Sequence, residues 1–99
     1  MTRFALIAVL LSCSAPAFAG KTENCAATAG IVRDAVAQRA DGKDMTDTVA
    51  FLGSDAGGVA AKYREAVPAL VDWVYTLPAD QLTDAAPKAF EDACLAHES

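Results

Sequence analysis

The sequence predicts an all-α fold: a small four-helix domain, orthogonal or bundle-like, closed by one disulfide. Three observations carry that expectation. Alanine supplies eighteen of residues 20–99, and it is the strongest helix former. Apolar residues recur at steps of three and four rather than in strand-like alternation. The Asp41-Gly42 pair lies between two segments of helical period instead of joining β-branched runs as a hairpin turn would.

The first nineteen residues read as a secretory signal peptide. Arg3 gives a positive start, Phe4 to Leu11 is an unbroken apolar run, and Ala17-Phe18-Ala19 precedes Gly20 with the small residues a signal peptidase requires. An apolar run of eight is too short to span about 30 Å of hydrocarbon, so no membrane span is expected. Leu10-Leu11-Ser12-Cys13 resembles a bacterial lipobox and is the alternative, with a lipid on Cys13. The domain organisation expected is therefore a signal peptide over 1–19 and a single helical domain over 20–99, periplasmic or secreted.

The first helix is expected from Asn24, a suitable cap, to Ala40. Cys25, Ala29, Val32 and Val36 form its apolar stripe, widened by Ile31 and Ala35. Arg33, Asp34 and Gln38 fall on the other side. Asp41-Gly42 ends it, with Gly42 suited to a left-handed position. Asp44 starts the second helix, in an imperfect capping box with Asp47. Met45, Val49 and Leu52 make its stripe, Gly53 stops it, and Ser54 to Gly58 reads as a flexible linker.

Val59, Tyr63, Val67, Leu70, Val74 and Leu77 recur at helical spacing in the third segment, with Ala66 and Trp73 extending the face and Lys62, Arg64, Glu65 and Asp72 opposite. Pro68 removes an N–H from its middle. Either the helix kinks near Arg64 or a short helix hands over to a second one starting at Pro68. Leu77 to Thr83 is a turn, with a single helical turn at Ala79 to Leu82. The last helix runs from Asp84, as its cap, to His97, with Pro87 in the tolerant first turn and Phe90, Ala93, Cys94 and His97 on one face. The expected core is Val32, Val36, Val49, Leu52, Val67, Leu70, Val74 and Phe90.

Composition narrows the function. A chain 54% hydrophobic and 21% charged is neither disordered nor collagen-like. Residues 20–99 keep all thirteen acids and lose only Arg3 of the eight bases, a formal charge of −6; nucleic acid, which needs a basic face, is not an expected partner. Cys25 and Cys94 remain after export, and an even count in a small exported chain reads as a disulfide. Cys94 and His97 share a helical face, but His97 is the one histidine, and no second ligand pair completes a metal site. No Ser/His/Asp set and no phosphate-binding loop is present. The chain is expected to be non-enzymatic, with no cofactor and no metal.

Trp73 and Tyr75 are the candidate partner-binding residues. They stand about 200° apart at 100° per residue, so both cannot face one core. One of them is expected to be exposed, or covered by a neighbouring helix or by a partner, another periplasmic protein; the alternative is that both are half-buried edges of the apolar stripe.

The frame Cys25 … Arg39-x-x-Gly42 … Tyr75-x-x-Pro78 … Cys94 resembles small exported two-cysteine helical proteins of Gram-negative bacteria. In size, export, helicity and a single disulfide the chain also resembles the HdeA/HdeB acid-stress chaperones of the periplasm. That second likeness implies an alternative function, in which acid opens the fold. Exported protein is expected to begin at Gly20 without lipid, as read by N-terminal sequencing and intact mass. A lipid-labelled species that loses its label in Cys13→Ser would establish the lipobox instead.

Overall fold

The computed structural model describes residues 15–98. The apolar run Phe4 to Leu11 and Cys13 lie outside the described residues. Four α-helices follow one another: α1 (Ala15–Ala40), α2 (Met45–Leu52), α3 (Val67–Thr76) and α4 (Ala85–Glu98). Short 3₁₀ segments occupy Asp55–Gly57, Ala61–Ala66 and Ala79–Gln81. No strand occurs among the described residues.

The core is one apolar stripe of α1 covered on its length by the other three helices. Cys25, Ala29, Ile31, Val32, Ala35 and Val36 are all buried, at the spacing the sequence predicts. The first helix begins at Ala15 rather than Asn24. Pro16 sits in the first turn, where its missing N–H costs little, and the one glycine in the intervening stretch, Gly20, weakens the helix by about 1 kcal/mol relative to alanine without ending it. Asn24 is thereby inside the helix and does not cap it; its Oδ1 accepts a hydrogen bond from the Tyr63 hydroxyl (2.6 Å).

At the far end α1 closes on a Schellman motif. Gly42 adopts φ +88°, its N–H donates to Arg39 O (3.0 Å), and the Lys43 N–H donates to Gln38 O (3.0 Å). A left-handed residue there is nearly free for glycine and strained for any residue with a Cβ. Asp44 then caps α2, its carboxylate accepting from the Asp47 N–H (2.8 Å).

The inward face of α2 is Thr48 and Leu52, one turn apart, rather than Met45, Val49 and Leu52. Met45 is exposed and Val49 half-buried. The sequence stripe fails there because a threonine holds the deepest position. Ser54 to Gly58 is a folded turn, not a flexible linker. The Ser54 hydroxyl donates to Phe51 O (2.7 Å), and Arg64 pairs with Asp55 (2.9 Å) while its Nε donates to Val59 O (3.1 Å). Gly57 lies so close to the end of α2 that a Cβ would sit 2.5 Å from Phe51 O and 2.8 Å from Leu52 Cα, which only glycine permits.

Pro68 resolves the third segment by handover. Ala61–Ala66 is 3₁₀, and α3 starts at Val67 with the proline in its first turn. Restarting the helix resets its buried face to Val67, Val71 and Val74. Leu70 lies about 60° off that face at 100° per residue and is half-buried instead of core; Val71, with no exposed surface, replaces it. Phe90 is likewise half-buried, and α4 contributes Ala86 and Pro87 to the interior. The expected Asp84 cap is replaced by Thr83, whose hydroxyl accepts from the Ala85 N–H (3.2 Å).

Cys25 and Cys94 are disulfide-bonded, with Cα atoms 5.7 Å apart and 69 positions of separation. The bond joins α1 to the end of α4. Among the described residues no helix is long and apolar enough to cross a membrane, and the disulfide suits an oxidising compartment outside the cytoplasm. Closing a loop of this length restricts the unfolded chain by about 4 kcal/mol. Replacing Cys25 or Cys94 by serine is expected to lower stability by about 2–5 kcal/mol in denaturant unfolding, enough to unfold much of a domain this small.

Candidate functional site

α3 divides the two candidate aromatics between inside and outside. With Val71 and Val74 inward, Tyr75 sits beside the buried face and turns toward α1 and α2. Its hydroxyl lies 2.8 Å from Thr48 Oγ1 and donates to Lys43 O (2.6 Å). Its ring lies under the Arg39 guanidinium, 5.5 Å from centroid to Cζ. Arg39 itself donates from one Nη to Val74 O (2.8 Å) and Leu77 O (2.6 Å), the carbonyls at the end of α3. One guanidinium thus binds two carbonyls of the helix end, Leu77 O and Val74 O, the latter beside its bond from the Leu77 N–H, and places positive charge at the negative pole of the helix.

Tyr75 is therefore committed to an internal clasp. Arg39, Lys43, Thr48 and Leu77, which complete it, were not singled out as functional partners by sequence reasoning. The only sequence signal was their nearness to the Arg39-x-x-Gly42 and Tyr75-x-x-Pro78 elements.

Trp73 goes the other way. It is 38% exposed, a large value for the chain's single tryptophan, and does not extend the buried face of α3. Its ring leans on Phe90 of α4, with centroids 5.9 Å apart and planes inclined at 46°. Beside it opens a groove of about 270 Å³ between the end of α3, the Ala79–Gln81 turn and the start of α4. Trp73 and Leu77 form one wall; Ala85, Ala86 and Ala89 form the other, and their short side chains leave the space open. Asp80, Gln81 and Thr83 supply the polar lining, and Asp80 is the one ionised residue among them.

A second depression, about 230 Å³, lies between α1 and the Gly58–Tyr63 segment, with Asp34 at its edge. Loss of solvent around Asp34 pushes its carboxyl above the ordinary value of 3.8, and the neighbouring Arg33 charge partly opposes this. Tyr63, on the same depression, spends its hydroxyl on Asn24 and carries Lys62 over its ring at 5.1 Å.

The Cys94 sulfur is bonded to Cys25, so it offers His97 no free thiol. Among the described residues no three His, Cys, Asp or Glu side chains converge as metal ligands. No buried side-chain nitrogen or oxygen among them lacks a hydrogen-bond partner; the interior presents no unpaired polar group for a ligand. The surface groove at Trp73 is the arrangement best suited to recognition, an aromatic wall with a few polar groups on its edge. Comparisons with protein-family models, curated proteins and solved structures find no match to this chain.

Two outcomes test this geometry. Tyr75→Phe strips the buried Thr48 hydroxyl of its partner and is expected to cost about 1–3 kcal/mol, read by denaturant unfolding. Adding Thr48→Val should recover part of that loss, because both ends of the bond are then removed. The second concerns Asp34. A raised carboxyl pKa means the folded state binds the proton more tightly, so stability falls as pH rises from about 3.8 through the folded value. Asp34→Asn is expected to raise the melting temperature at pH 7 and to lose that advantage below the window. A wild-type-like melting temperature at pH 7 would contradict the assignment.

Proposed function

We propose that this protein is an exported, non-enzymatic helical module that binds another protein in the periplasm through the Trp73 groove. One observation carries the reading: Trp73 is exposed on an open apolar groove, whereas Tyr63 and Tyr75 spend their hydroxyls on hydrogen bonds to other parts of the chain. Aromatic residues of this kind are enriched where partners dock, since a large rigid ring is ordered at low entropic cost. The signal-like start of the sequence and the disulfide support export, and the formal charge of −6 over residues 20–99 suits a soluble module. Tyr75 supports the groove from behind by holding the end of α3.

The alternative is an acid-stress chaperone of the HdeA/HdeB type. It is supported by the charge, which swings from −6 to about +8 when thirteen carboxylates and His97 are protonated.

A photo-crosslinking residue at position 73 separates the two readings. In the exported protein at neutral pH it is expected to form a discrete adduct with another protein, while the same residue at exposed Lys62 does not. No adduct at neutral pH, together with apolar-dye binding and suppression of client aggregation at pH 2–3, would establish the chaperone instead.

A further inference from the structure

The Trp73 groove also carries information about what it takes. Its volume, about 270 Å³, is below the roughly 300–1,000 Å³ typical of small-molecule and cofactor sites. It is the size for a side chain or two of a docked segment. Its walls are apolar and aromatic, and the one charge on its lining is the Asp80 carboxylate. No lysine or arginine lines it. Lys88 of α4 is engaged one turn along that helix with Asp92 (3.7 Å).

A tryptophan face is the best side-chain surface for a cation, attractive within about 6 Å of the ring centroid. A carboxylate on the same groove adds a charge-assisted partner for that cation. Arginine satisfies both, because its planar guanidinium stacks on a ring and donates from its edge. An acidic side chain would meet repulsion from Asp80 and a ring face of the wrong sign. The net negative charge of the domain adds long-range attraction for a basic segment.

Resting on the docking reading above, we infer that the groove binds a basic, apolar-flanked segment of the partner protein. The arginine or lysine head lies over Trp73 and against Asp80, and the neighbouring apolar side chain lies on Leu77 and the three alanines.

The test is selection of displayed random heptapeptides on the disulfide-bonded protein, followed by titration of a selected synthetic peptide. Trp73 is the one tryptophan of the chain, so its emission reports occupancy of the groove directly. Arg or Lys beside Leu, Ile, Val or Phe is expected to be enriched. Binding should weaken about threefold in Asp80→Asn at low salt. That difference should vanish at 1 M salt, where charges are screened within about 3 Å. Trp73→Phe, which keeps an aromatic face, should retain binding measured by calorimetry, and Trp73→Ala should lose it. Trp73-dependent peptides with no basic bias, or affinity unchanged in Asp80→Asn at low salt, would overturn the cationic segment and leave the docking groove standing. Peptides that bind equally well to Trp73→Ala, or no selected peptide at all, would overturn both.

Discussion

Everything in this fold leans on α1, and α1 is pinned at two points. It is the long helix of the domain, and its single apolar stripe is the surface on which α2, α3 and α4 are assembled. Inside the helix the Cys25–Cys94 bond holds α4 against it. At its C-terminal end, Arg39 holds the end of α3 by two carbonyls. Fourteen positions separate Cys25 from Arg39, about 21 Å of helix. A core made largely of valine and alanine buries little area per residue, so it gains much from such pins.

The two pins differ in kind. The disulfide acts chiefly by restricting the unfolded chain. The Arg39 clasp acts in the folded state by satisfying polar groups. It joins four elements of local chemistry: the Schellman turn at Gly42, the Lys43 carbonyl that follows it, the Thr48 hydroxyl of α2 and the Tyr75 hydroxyl of α3. Thr48 can be wholly buried in α2 because Tyr75 reaches it; a buried hydroxyl without a partner would oppose folding.

The same clasp governs the candidate site. Arg39 and Tyr75 fix the rotation and the end of α3, and that rotation sends Trp73 outward onto Phe90. The Ala79–Gln81 turn, begun at Leu77, brings Asp80 onto the same groove. The two aromatics are therefore divided along one helix: Tyr75 bonds on the side of α1 and α2, and Trp73 is left on the surface groove.

Helical class, the α1 stripe from Cys25 to Val36, the glycine end at Gly42, the Asp44 cap and an interruption at Pro68 were legible in the sequence; whether the helix kinked or restarted there was not. Each legible feature is set by local rules of period, capping and proline sterics. The pairing of Cys25 with Cys94 was legible on the expectation that Cys13 leaves with the signal peptide, since two cysteines then allow one intramolecular pairing. Tertiary structure alone decided that Val71 rather than Leu70 is core, since the phase of α3 depends on where the helix restarts. It alone placed Thr48 inside, since a threonine is buried only if a distant hydroxyl meets it. The angle between Trp73 and Tyr75 was readable from their spacing, but which one faces inward was not. That choice depends on the packing of Val67, Val71 and Val74 into the core and on the Tyr75–Thr48 bond across twenty-seven positions, and local sequence holds no record of contacts so far away.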